Sequence, residues 1–218
     1  GRGATVPFVE QEAENAATDG EILAPGREPY TLAAEASGRS AVRLTRPGQY
    51  VEFTLTGDTN AFTLRYSIPD APTGGGITSP LAVTVDGRHD STMTLTSQYA
   101  WLYGMYPFSN DPNVDPNPGW WKPEPDPVTK PFRPNHFYDE QRVLLGKTYH
   151  AGDRIRFTVP QGAAAAWTVL DVADFELVPK PLVKPHGALS VLDFGADPTC
   201  AREPSDAIDA TIAAAKAR

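Results

Sequence analysis

Cysteine is almost absent: Cys200 is the single one in 218 residues, so no intrachain disulfide forms, and a disulfide framework or CxxC zinc module is excluded. No stretch approaches 18 consecutive apolar residues, so no segment reads as a membrane-spanning helix. Basic residues are outnumbered, 19 Lys plus Arg against 27 Asp plus Glu, for a formal charge of −8. No Lys/Arg run appears either, and a nucleic-acid face needs clustered cations to meet phosphate. No charged segment followed by an apolar one opens the chain, so a secretory signal has either been removed or never existed. The common catalytic signatures are also missing. His89, His136, His150 and His186 show neither HxxxH nor HxH spacing, Cys200 has no histidine beside it, and no GxSxG or phosphate loop occurs.

What is present is strand chemistry. In residues 48–58 Tyr50, Glu52 and Thr54 alternate with Val51, Phe53 and Leu55, the period of a half-buried strand. The same alternation runs through AVRL (41–44), AFTLRYSI (61–68), LAVTVDG (81–87), TMTLTS (92–97), RIRFTV (154–159) and WTVLDVADFELV (167–178). Asp86-Gly87 separates two of these runs and reads as a hairpin turn, since both residues tolerate positive φ. Many short strands with turn residues about every ten positions predict an all-β fold, an antiparallel β-sandwich of jelly-roll type.

Three regions differ in composition. Residues 1–178 hold all of the net charge and read as the sandwich. Residues 179–187, within VPKPLVKPHG, form a Pro-rich and semi-rigid linker. Residues 188–218 contain ALSVLDFGADP and a predicted helix in which Ser205 caps the start and Ile208, Ile212 and Ala215 share one face. That stripe is expected to pack against a segment beyond Arg218. Inside the sandwich region, nine of the 28 residues from 107 to 134 are proline, which predicts an ordered surface excursion around Trp120-Trp121.

The motifs VEQEAENA (9–16), ASGRSAVRLTRPGQYVEFTL (36–55) and DVADFELV (171–178) resemble the framework of family 6 and family 35 carbohydrate-binding modules. FTLRYSIPDAPTGGG (62–76), VTVDG (83–87) and HFYDEQRVLL (136–145) are similar to the N-terminal sandwich of bacterial α-1,3-glucanases and mycodextranases. SVLDFGADPTCAREPSDAIDATIAAA (190–215) resembles the start of a pectate-lyase-like right-handed β-helix with its capping α-helix, although Cys200 replaces a small glycine there.

These resemblances imply site residues. They imply a structural calcium held by Glu12, Glu14 and Asp174, with a backbone oxygen from the SGR turn; alternate strand positions let Glu12 and Glu14 converge on a cation that takes six to eight hard oxygens. A second pattern, Asp111, Asn113, Asp115, Asn117 and Gly119, lacks the glycine and glutamate an EF-hand loop requires and reads as turns. Trp101, Tyr103, Trp120 and Trp121 are the carbohydrate-binding candidates, because an exposed ring stacks on the C–H face of a sugar; each reads equally as a core or loop-pinning residue. Asp139 and Glu140 are sequence neighbours and diverge on a strand, unlike the facing pair a glycosidase uses.

The functional expectation is a secreted, noncatalytic accessory domain that binds carbohydrate, a polysaccharide of the α-glucan class, beside a downstream β-helix that hydrolyses it. Two alternatives stand beside it: a purely structural domain packed on the β-helix, and a part of another β-helix enzyme such as a pectate lyase, polygalacturonase or fructotransferase.

Overall fold

The computed structural model describes residues 6–28, 31–102, 135–199 and 201–217. The chain divides into two compact units, Gly1–Val178 and Pro179–Arg218.

The first unit is an antiparallel sandwich. Its strands are β1 (Phe8–Glu12), β2 (Ala17–Thr18), β3 (Glu21–Leu23), β4 (Ala41–Leu44), β5 (Tyr50–Thr54), β6 (Thr59–Ser67), β7 (Thr78–Val85), β8 (Arg88–Thr96), β9 (Trp101–Leu102), β10 (Asn135–His136), β11 (Asp139–Tyr149), β12 (Arg154–Thr158) and β13 (Thr168–Glu176). One sheet has the order β11-β6-β13-β4-β3, with β1 also paired to β13, a second has the order β2-β5-β12-β7-β8, and β9 and β10 pair as a two-stranded ribbon. Asp86 and Gly87 turn the β7–β8 hairpin with φ of 47° and 75°, as the dipeptide requires.

Alternation places one side chain in two between the sheets. Phe53, Phe62, Phe157 and Phe175 meet there edge to face, with ring centroids 5.1 to 5.9 Å apart, surrounded by buried Leu64, Leu81, Ile155 and Leu170. Burial of this kind returns about 25 cal/mol per Å² of apolar surface and dominates the stability of the unit.

Two irregularities decide where polar groups go. In β11 the register shifts between Leu144 and Tyr149; Leu145 turns into the core, and Gly146 N–H and Tyr149 O–H both donate to Asp90 Oδ1 on β8, at 3.0 and 2.8 Å. In β13 the pairing to β6 shifts between Leu170 and Ala173, a bulge that inverts the facing of the residues before it relative to those after.

The second unit holds a short 3-10 turn, Val191–Phe194, ended by Gly195 at φ 94°, and α2 (Ser205–Lys216). Pro204, not Ser205, stands at the cap position. The Glu203 carboxylate accepts from Ser205 N–H at 3.0 Å and so supplies the acceptor expected of Ser205. Ile208 and Ile212 are 41% and 48% exposed.

Candidate functional site

A polar hub lies under residues 31–40, a strap that crosses the outer face of the sheet containing β13. Thr31 starts the strap by accepting from Ala34 N–H at 3.3 Å, capping the single turn of α1 (Leu32–Glu35). A 3-10 turn follows at Ser37–Arg39, where Gly38 and Arg39 take φ of 56° and 63°. Two successive left-handed residues reverse the chain, and glycine at the first removes the side-chain cost there.

That reversal aims Ser37 at the sheet. Ser37 N–H donates to both oxygens of Asp171, each at 3.0 Å, and Ser37 Oγ donates to Glu12 Oε1 at 2.6 Å. Asp171 is completely buried. Arg65 from β6 pairs with it through Nη1, donates through Nη2 to the Glu35 carbonyl at 3.2 Å, and lies over the Tyr138 ring at 4.8 Å. Tyr138 O–H donates to the Leu32 carbonyl at 2.9 Å. Asp171, Glu12, Arg65 and Tyr138 therefore hold the strap through five hydrogen bonds, and Ala36 of the strap clusters with buried Ala41 and Val169.

Burial pushes the Asp171 carboxyl up to about 6, against the lowering effect of Ser37 N–H and Arg65. Tyr138 is also raised, chiefly by burial and then by the Asp171 charge. Glu14 is raised by burial, with a further push from Glu12. Burial likewise raises Asp174, followed by the charges of Glu10, Glu140, Glu176 and Glu12.

The implied calcium ligands are distributed unevenly. Glu12 ends β1, and Glu14 sits in the 3-10 turn Ala13–Asn15. They come together at Gly38, where an added Cβ would lie 3.4 Å from Glu14 Oε1 and 3.9 Å from Glu12 Oε1. One oxygen of each, Glu12 Oε2 and Glu14 Oε2, is buried and accepts no hydrogen bond, as is Asp174 Oδ1. Asp174 stands opposite Glu10 of β1 and Thr63 of β6. The carboxylate bound to the strap is Asp171. Among the described residues no three His, Cys, Asp or Glu side chains group as a metal-ligand set.

Of the aromatic candidates, Trp101 opens β9, is half-buried, and donates through Nε1 to the Ile68 carbonyl at 3.2 Å. Tyr103, Trp120 and Trp121 lie outside the described residues, as does the 111–119 pattern. Glu140 stands 3.8 Å from Arg65 Nε.

The sequence reading missed Asp171, Arg65, Ser37 and Tyr138. Strict alternation sets Asp171 on the side of Ala173 and Phe175, which face the core; the bulge turns it outward beneath the strap. A charged residue on the apolar side of TVLDVADF was the available signal, because an unpaired carboxylate in a core is too costly to leave there.

A family model described as "Alpha-1,3-glucanase catalytic domain D1" matches residues 5–178. The chain is similar to a structure described as the Agl-KA catalytic domain, with 27% identity and TM-score 0.82 over 98% of this chain and 35% of that one. It is similar to the catalytic unit of the thermostable GH87 α-1,3-glucanase of Streptomyces thermodiastaticus, with 38% identity and TM-score 0.75 over 97% and 34%. A third similar structure is the catalytic domain of a GH87 α-1,3-glucanase in complex with nigerose, at 32% identity and TM-score 0.67 over 85% and 31%. The chain thus spans about a third of the length of these structures. No curated protein matches it.

These matches correct the expectation of a noncatalytic accessory carbohydrate-binding domain. Residues 5–178 correspond to a part of the catalytic domain itself, and neither the purely structural role nor another β-helix enzyme fits the matches better. The likeness to family 6 and 35 binding modules finds no support in them. The reason is general: alternating strands and an E-x-E edge specify a sandwich, and one sandwich framework carries many functions.

Proposed function

The chain belongs to the family described as α-1,3-glucanase catalytic domain D1, and from that premise we propose that it is the D1 part of an enzyme hydrolysing α-1,3-glucosidic bonds in a glucan. The match over residues 5–178 carries this reading. It is supported by the relative solved with nigerose and by another solved with tetrasaccharides. Residues 188–218 enter the same reading as the start of a right-handed β-helix, whose capping helix is α2. A polymeric substrate of this kind is met outside the cell, so the protein is read as secreted.

The test is direct. The full-length protein is incubated with insoluble α-1,3-glucan, α-1,6-linked dextran and amylose, and new reducing ends are measured. Release from the α-1,3-glucan alone supports the reading; release from dextran or amylose but not from α-1,3-glucan overturns it.

A structural cation belongs to this proposal. Calcium suits Glu12 and Glu14, since both keep a buried, unpartnered oxygen at the Gly38 turn and hard carboxylate oxygens are its preferred ligands. Bound there, it would offset the like charges that meet at Glu14. Asp174 is the third carboxylate of the implied set, and Asp174→Asn tests its share through calcium-dependent melting.

A further inference from the structure

The sandwich is closed at its C-terminal end by a side chain. The β13–β6 ladder stops at Glu176 opposite Ala61. Two residues later the Asn60 amide takes over: Nδ2 donates to the Val178 carbonyl at 2.9 Å, and Oδ1 accepts from Val178 N–H at 2.6 Å. One planar amide supplies a donor and an acceptor together, so Asn60 reproduces the paired bonds of a neighbouring strand. An aspartate could not donate, and an alanine could do neither.

Pro179 comes next. Proline has no N–H and confines the residue before it to extended backbone, so Val178 is held from both sides. Pro181 and Pro185 follow, and a proline-rich segment is stiff over several residues. Leu182 and Val183 are 95% and 91% exposed, so their side chains contribute almost no packing to restrain the segment.

We propose that Asn60 is an exit clamp, a positioning residue that ends the sandwich at Val178 and restrains the motion of the backbone that begins there. This inference does not depend on the glucan reading, and its test involves no catalysis.

The experiment compares the whole chain with Asn60→Ala and Asn60→Asp by NMR. It reads amide exchange at Val178 and the heteronuclear NOE at Lys180 and Leu182. In Asn60→Ala, Val178 exchange should rise about tenfold, the order expected for one lost hydrogen bond, and the NOE at both positions should fall. Exchange at the Leu64 amide, inside β6, should not change. In Asn60→Asp the acceptor for Val178 N–H survives, so exchange there stays near wild type while the NOE falls. Unchanged exchange and NOE in Asn60→Ala would overturn the clamp. Should that variant not fold, Asn60→Asp decides alone, and a wild-type NOE in it overturns the proposal.

Discussion

Arg65→Met is the most searching perturbation of the strap, because it removes one charge while keeping most of the side-chain volume. Asp171 is then a buried carboxylate without its cation, and at pH 8 breaking such a pair should cost about 3–5 kcal/mol. The pH dependence makes the argument sharper. Asp171 rises from 3.8 to about 6 in the folded chain, so the folded state binds this proton more tightly than the unfolded one. Stability from this group is therefore fully present below pH 3.8 and falls as pH climbs through about 6. At 1.36 kcal/mol per unit, the wild-type loss across that window is about 3 kcal/mol. Arg65 is among the influences that lower this pKa, so its removal moves the window upward. The variant's extra deficit should then be large at pH 8 and shrink at pH 4, where Asp171 is neutral in both proteins. What remains at pH 4 is the lost bond to the Glu35 carbonyl and the stacking on Tyr138, roughly 1–2 kcal/mol. Urea titrations at pH 4, 6 and 8, followed by circular dichroism, measure all three deficits. Asp171→Asn is the control and should lose the slope between pH 4 and 6. A deficit of equal size at pH 4 and pH 8 would refute the reasoning.

Two further outcomes are expected. If calcium binds at Glu12 and Glu14, calcium at 100 times its Kd adds about 2.7 kcal/mol to folded-state stability, so excess EDTA should lower the melting temperature of wild type and leave Glu14→Gln nearly unaffected; an identical wild-type melting curve in EDTA removes the cation. Gly76 has φ of 83°, and a Cβ there would lie 2.4 Å from Gln98 N, whereas Gly75, at φ 86°, has nothing within 4 Å. Both alanine variants face the cost of left-handed backbone, about 1–2 kcal/mol. Gly76→Ala should cost roughly 1–3 kcal/mol more in urea denaturation, since only it collides with backbone, and equal losses would contradict the close approach.

The strands β4, β5, β6, β7, β8, β12 and β13, the Asp86-Gly87 hairpin and the antiparallel all-β class follow from the sequence alone, whereas the long strand β11 does not appear among the alternating runs. Period-two alternation with regular turn residues leaves a chain of this kind one economical way to bury Phe53, Phe62, Phe157 and Phe175 together. Glu12 and Glu14 entered as a pair through the family resemblance, and the strand spacing invoked for them does not hold: β1 ends at Glu12, Glu14 sits in the 3-10 turn Ala13–Asn15, and the two meet at the Gly38 turn instead. The partnership of Asp171 was not legible. A one-residue irregularity in β13 inverts which side chains face out; the charge on the apolar side of TVLDVADF signals that Asp171 does not face the core, but nothing local says which residues it meets. Arg65, Ser37 and Tyr138 come from three distant segments and meet only when β6 pairs with β13 and the Gly38 turn folds the strap back. The function depended on the same distinction. Periodicity specifies a framework shared by binding modules and catalytic domains alike, whereas membership in one family is carried by the whole run of residues 5–178. Local forces act over a few residues and can be read in order; a buried charge finds its partner through space, and only the assembled sheets decide which one that is.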